Sequence, residues 1–290
     1  MPAIAKSQPA VGIIGLGLMG SALAERALGA GFRVIGFDIR PERCALLVRL
    51  GGQAANSTIA VATACRRIIF SLMSADQVDL VCTEISSALR RGSTIIDTST
   101  GDPEKMMQIE GKLRLRGIHY LDAPIAGSSS EARAGNALVL VGGERPEFLD
   151  CRDIFKCFAR QVFHIGPSGD GARMKLVFNL VLGLNRAVLA EALMFAEALG
   201  VSSQRALEIM REGTAYSRVM ETKGGKMLAR EFSPQAKLEQ HLKDVRLILA
   251  AGRRTGAKLP LSALHRKLLS ALVGAGHGAL DNSAIIKAFE

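Results

Sequence analysis

Hydrophobic positions change their rhythm once along this chain. Through the first half, short β-branched runs alternate with segments of helical period. Val11–Ile14, Arg33–Phe37, Ile68–Leu72, Thr94–Asp97, Ile118–Leu121, Leu138–Val141 and Val162–Ile165 read as strands. The first of these are separated by stretches long enough for crossover helices, and such βαβ alternation predicts a mostly parallel, doubly wound sheet of Rossmann type. After Gly171 the strand signals stop and helical periodicity runs almost to the end. Leu176–Leu199 predicts one long helix, followed by Ser203–Arg211, Tyr216–Ala229, Pro234–Arg254 and Pro260–Val273, with Pro234 and Pro260 as first-turn prolines. The expected fold is therefore an α/β domain followed by an all-α domain, joined by a long interdomain helix. Residues 1–10 read as a flexible tail, 11–168 as the sheet domain and 169–290 as the helical domain. The boundary falls in the Gly- and Pro-containing turn from His164 to Asp170.

The first strand leads into Gly15-Leu-Gly17-Leu18-Met19-Gly20, which opens a helix. In that context each glycine has a job. Gly15 allows the tight turn, Gly17 lets backbone approach a pyrophosphate, and Gly20 lets helix and strand pack closely. The helix N-terminus then offers free N–H groups and a positive dipole end to phosphate. Asp38 closes the second strand, 18 residues after Gly20. A carboxylate there accepts hydrogen bonds from ribose hydroxyls and repels a 2′-phosphate, which favours NAD over NADP. Arg40 stands two residues further on, where it is able to contact a 2′-phosphate.

A second candidate lies at the start of the long helix. Lys175 and Asn179 are separated by four residues and share one helical face. A desolvated lysine has a lowered pKa and exchanges a proton near neutrality, and an amide one turn away orients a hydroxyl or holds the lysine. By spacing alone, the same lysine also fits a stem lying on an apolar face with its charge in water.

Taken together the motifs resemble the β-hydroxyacid dehydrogenase family, which includes 3-hydroxyisobutyrate dehydrogenase-like enzymes and 6-phosphogluconate dehydrogenase relatives. The resemblance runs from Val11 to Glu290. It rests on the Gly15–Gly20 loop, on Asp97-Thr-Ser-Thr100, on Asp122-Ala-Pro-Ile-Ala-Gly-Ser128, on Gly171 to Asn179, on the Lys243-Asp244 pair and on Gly276-His-Gly-Ala-Leu-Asp281. It implies that Lys175 is the general acid/base, with Asn179 orienting it. Thr100, Met73 and Ser74 would border the cofactor, and Lys243 would reach cofactor and substrate from the helical domain. Ala126, Gly127 and Ser128 would cradle a substrate carboxylate through N–H and hydroxyl donors. Here the chain departs from the family pattern: Ala126 replaces the usual Ser, Ser128 replaces Gly, and Glu131 brings a negative charge where Gly is common. The implied reaction is hydride transfer between nicotinamide and a small 2- or 3-hydroxy carboxylic acid, or in reverse its aldehyde or keto acid. The family implies a homodimer or homotetramer built through the helical domains. An imine reductase on the same scaffold is one alternative, although relatives of that kind usually replace the lysine. A dinucleotide-binding module without turnover is another.

Composition changes little in this reading. The 290 residues carry 37 Lys and Arg against 27 Asp and Glu, a net charge of +10. The basic residues come as scattered pairs such as Arg66-Arg67, Arg90-Arg91 and Arg253-Arg254, without interleaved aromatics, so no nucleic-acid partner is expected. They read as solvated helix faces, with Lys175, Lys243 and Arg173 as the functional share. No uninterrupted apolar run reaches the ~18 residues of a membrane span, and the N-terminus lacks the apolar core of a signal peptide. Five widely spaced Cys without a CxxC pattern, and five His without a cluster, predict reduced thiols, no metal and a cytoplasmic setting.

Overall fold

The computed structural model describes residues 10–290. The expected tail, apart from Ala10, lies outside the described residues. Among the described residues nine strands form one sheet: β1 (Val11–Ile14), β2 (Val34–Phe37), β3 (Gln53–Ala54), β4 (Arg67–Phe70), β5 (Thr94–Asp97), β6 (His119–Asp122), β7 (Ile125–Ala126), β8 (Ala137–Gly142) and β9 (Ala159–Gly166). Seven are the predicted strands, with ends shifted by up to three residues. The two-residue β3 and β7 are too short to leave a periodic signal. Their order is β3-β2-β1-β4-β5-β6-β8-β7, with β9 on β8. The strands from β3 to β6 pair in parallel, whereas β8 runs antiparallel to both β6 and β7.

Helices cover both faces, so the central strands are buried throughout. Side chains alternate across the sheet. Ile13, Ile69 and Ile96 join one core with α1 (Leu18–Gly29) and, farther along, α8 (Arg152–Phe158). Ile14, Ile68 and Ile95 join the other with α3 (Thr58–Ala64), α4 (Ala75–Glu84) and α5 (Pro103–Arg114). The remaining helices of this part are α2 (Pro41–Arg49), α6 (Ser129–Arg133) and α7 (Arg145–Asp150). The sequence order reverses direction between β1 and β4, the switch point at which open α/β sheets take their ligands.

The long helix α9 (Asp170–Ala198) begins six residues before its predicted start, because Asp170 to Lys175 form its first turns. The chain divides into two compact units, Met1–Lys175 and Leu176–Glu290. The second unit is helical: the rest of α9, α10 (Ser203–Glu212), a π-helical turn (Met220–Gly224) running into α11 (Gly225–Leu228), α12 (Leu238–Thr255) and α13 (Pro260–Leu272). A 3₁₀ helix, Asn282–Ala288, ends it. Pro260 is a first-turn proline as expected, but Pro234 is not. It lies in an irregular lead-in, and α12 starts only at Leu238. The core packs Leu189 and Leu193 of α9 with Leu242 and Val245 of α12 and Leu269 of α13. By length and composition α9 is apolar enough to cross a membrane, and 44% of its most apolar window is buried inside the protein.

Candidate active site

Parallel strands deliver their C-terminal ends to one edge, and the motifs of the first unit lie there. The glycine loop follows β1, Asp38 follows β2, Met73 and Ser74 follow β4, Thr100 follows β5, and the 122–128 segment follows β6. The glycine loop shows why it is built as it is. Gly15 has φ +91°, and a Cβ on it would lie 2.3 Å from the Ser71 carbonyl. A Cβ on Gly20 would lie 1.9 Å from the Gly15 carbonyl. In front of Gly17 the space is open, the nearest atom to a Cβ being Nη2 of Arg40 at 3.9 Å. Gly17 also begins α1 with no side-chain cap and no acidic residue in the first turn. Unclaimed first-turn N–H groups behind an open approach fit the pyrophosphate of a dinucleotide.

Asp38 is tied into this loop. One carboxylate oxygen accepts from the Leu16 amide at 2.8 Å, and the other accepts from the Arg40 amide at 3.0 Å and its Nε at 3.4 Å. Met73 is 55% exposed, while Ser74 spends its hydroxyl capping α4 on the Gln77 amide. The ends of β4 and β5 are laced together, the Leu72 amide donating to Ser99 Oγ and the Thr98 hydroxyl to the Phe70 carbonyl. Behind them Asp97 is fully buried and accepts from the Ser99 amide and from the Tyr120 hydroxyl at 2.6 Å. Burial, with Asp97 beside it, pushes the Tyr120 phenol well above its ordinary range, so it remains a donor.

Asp122, paired in register with Asp97, is also fully buried. Its two oxygens accept from the amides of Gly169 and Ala172, each at 2.8 Å. Burial pushes its carboxyl up to about 7 against the pull of those amides. Three residues on, the Ile125 carbonyl accepts a 2.7 Å hydrogen bond from Lys175 Nζ. Lys175 is 6% exposed, which excludes a stem with its charge held out in water. Ser128 does not offer what the sequence promised. Its amide donates to Glu131 at 2.8 Å, and its hydroxyl is shared with Glu131 and Ser130 in a capping box that starts α6. The Glu131 charge is thereby used locally. Ala126 is buried, and Gly127 has φ +157°, close to extended backbone.

In the helical unit, Asn179 Nδ2 donates to Asp244 Oδ2 at 3.0 Å, and Lys243 Nζ stands 3.5 Å from Asp244 Oδ1. Arg173 is already paired with Asp170 at 2.8 Å and Glu104 at 3.2 Å, so it leaves the functional share of the charge. Asp281, the last residue of the Gly276 turn, accepts from Lys223 Nζ at 2.8 and 3.0 Å. It also accepts from the amides of Gln235, Ala236 and Ser283. That motif residue is a structural clamp. The sequence reading assigned roles to neither Asp122 nor Asp244, since a buried acid leaves no periodic signature. Both stand inside motifs already marked, which was the available clue.

Residues 10–166 match the family model described as the NAD binding domain of 6-phosphogluconate dehydrogenase. Residues 169–289 match that described as the NAD-binding of NADP-dependent 3-hydroxyisobutyrate dehydrogenase. The chain belongs to the 3-hydroxyisobutyrate dehydrogenase-like β-hydroxyacid dehydrogenases. It is 32% identical to 2-(hydroxymethyl)glutarate dehydrogenase of Eubacterium barkeri, over 97% of this chain and 94% of that one. It is 30% identical to 2-hydroxy-3-oxopropionate reductase of Escherichia coli K12, over 97% of each. A crystal structure of 3-hydroxyisobutyrate dehydrogenase from Salmonella typhimurium superposes with a TM-score of 0.90 at 26% identity, covering 97% of this chain and all of that one. The protein is an NAD(P)-dependent oxidoreductase acting on CH–OH donors.

Proposed function

We propose that this β-hydroxyacid dehydrogenase acts on a small 2- or 3-hydroxy carboxylate with Lys175 as its proton carrier. The observation behind this is the buried Lys175, held by the Ile125 carbonyl at the strand ends where the glycine loop also lies. Bound nicotinamide dinucleotide supplies the hydride-accepting carbon. Lys175 removes the proton from the substrate hydroxyl oxygen, and returns it to the same oxygen in the reductive direction. The Ile125 carbonyl fixes one position on its nitrogen. With Ala126 lacking a hydroxyl and Ser128 bonded to Glu131, the substrate carboxylate falls to the Gly127 backbone. Asn179, bonded to Asp244, presents a fixed amide one helical turn after Lys175.

NAD is the preferred cofactor in this reading, because the Asp38 carboxylate is pinned beside the glycine loop and repels a 2′-phosphate. Arg40 is half exposed and pulls the other way, so its removal increases the preference. A second copy of the chain is the proposed partner. Val177, Val181, Val188 and Phe195 are each more than half exposed and fall on one narrow stripe of α9. That stripe also accounts for the apolar composition of the helix without a membrane. Five free cysteines, four of them buried, support a reducing, cytoplasmic setting.

The test is a panel of glycerate, 3-hydroxyisobutyrate and 2-(hydroxymethyl)glutarate, each with NAD⁺ and with NADP⁺. The expected result is turnover of at least one, with a higher kcat/KM for NAD⁺. Tight NADH binding with no turnover on any compound would instead favour a cofactor-binding module.

A further inference from the structure

The proton-carrying lysine needs a fixed position, and the residues that fix it form a closed ring. The fully buried Asp122 ends β6. Its carboxylate holds the Gly169 and Ala172 amides at 2.8 Å each, at the start of α9. Ala172 lies three residues before Lys175, and Asp122 lies three residues before Ile125, whose carbonyl holds Lys175 Nζ at 2.7 Å. Two short chain arms are thus closed by hydrogen bonds at both ends. The slot is too tight for adjustment. A Cβ on Gly142 would lie 2.5 Å from Asp122 Oδ1 and 2.7 Å from the Gly171 nitrogen. A Cβ on Gly171 would lie 2.5 Å from the carbonyls of both Asp122 and Leu140. The helix start and the two strand ends are pressed into direct backbone contact around the carboxylate.

We propose that Asp122 is a positioning residue for catalysis: by clamping the first turn of α9 to the end of β6, it sets where the Lys175 nitrogen stands. While ionised, above about pH 7, the carboxylate suits the task because both its oxygens only accept, and the first-turn amides have no partner within the helix. An amide side chain in its place turns an NH₂ group against one of those amides, and that half of the clamp opens. The proposal rests on Lys175 being the acid/base. Misplacement of a reacting group by about 1 Å costs on the order of 10²-fold in rate.

The experiment compares Asp122→Asn with Lys175→Ala in the full chain, using NADH for binding and, for turnover, NAD⁺ with whichever hydroxy acid of the panel turns over fastest. In Asp122→Asn, NADH should bind at full stoichiometry with its Kd within about 3-fold. KM for the hydroxy acid should change little, and kcat should fall by about 10²-fold. The solvent deuterium isotope effect on kcat should rise, because proton transfer through a displaced lysine becomes slow. A folded Asp122→Asn with kcat near wild type overturns the proposal. So does a loss of kcat with an unchanged isotope effect at full NADH stoichiometry, because a displaced lysine must slow proton transfer. If Asp122→Asn does not fold, Ala172→Pro deletes one N–H of the same clamp from the helix side and is judged by the same readouts. Near-normal turnover in Lys175→Ala overturns the acid/base reading itself. An inactive Lys175→Ala beside a fully active Asp122→Asn overturns the positioning role alone.

Discussion

Gly17 and Gly20 stand three residues apart in one loop and serve different ends. Gly20 faces the Gly15 carbonyl, so Gly20→Ala forces main chain apart and should destabilise the first unit by about 3 kcal/mol, read by denaturant unfolding. Gly17 has φ −64°, which alanine adopts freely, and open space in front. Gly17→Ala should therefore leave stability unchanged within about 0.5 kcal/mol. It should nonetheless weaken NADH binding roughly tenfold, about 1.4 kcal/mol, measured by fluorescence titration. The reverse pattern would contradict the division of labour. Residues of this kind were legible in the sequence because a glycine loop between strand and helix has few physical explanations. Lys175 was half legible: its spacing to Asn179 was visible, but its burial and its bond to Ile125 were not. The capping box of Ser128 with Glu131 was not visible in the sequence, although the Ser128-x-x-Glu131 spacing allows it.

At the scale of elements, the rhythm of apolar positions marked the long strands and the long helices, and failed where no period exists. Strands β3 and β7 have two residues each, and the lead-in at Pro234 is shaped by contacts far along the chain. The amides of Gln235 and Ala236 both donate to Asp281, so the segment before α12 is held by the C-terminal turn and not by its own sequence. Asp281→Ala should strand the buried Lys223 ammonium and cost about 4 kcal/mol. At roughly 2–4 °C per kcal/mol this lowers Tm by about 10 °C in a thermal melt. A change of less than about 2 °C would show the clamp to be dispensable. Gly183 makes a matching case on α9, since a Cβ there would lie 2.3 Å from His241 Nε2 and 2.9 Å from His265.

On the scale of the whole molecule, the two units should answer acid in opposite ways. In the helical unit, burial and the nearby Arg186 hold the His265 imidazole down to about 4. The unfolded chain then binds a proton near 6.5 that the folded chain refuses, so stability falls as pH drops from 6.5 toward 4, by up to about 2 kcal/mol at pH 5. Asp281 extends the loss to lower pH. Burial raises its carboxyl, but Lys223 and the surrounding amides outweigh that and hold it at about 2, so its contribution is lost as pH falls from 3.8 through 2. Asp122 in the first unit has the opposite sign. Its carboxyl, pushed up to about 7, takes a proton in the folded state first, so that unit gains stability as pH falls from 7 toward 3.8. Hydrogen exchange at pH 7 and pH 5, corrected for intrinsic rates, should show α12 and α13 losing protection while β5 and β6 keep theirs. Equal loss in both units would contradict these assignments. Arg67, Arg133, Arg173 and Lys223 each have their charge offset locally by an acidic partner. On the proposed self-association through the exposed stripe of α9, Phe195→Asp with Val188→Asp should yield monomers by sedimentation, with each chain still folded. The role of Lys175 is decided by turnover of Lys175→Met on the best hydroxy acid with NAD⁺, measured beside its affinity for NADH. With Lys175 as the acid/base, kcat falls ~10²–10⁴-fold while NADH affinity is retained; near wild-type turnover would exclude Lys175 from that role.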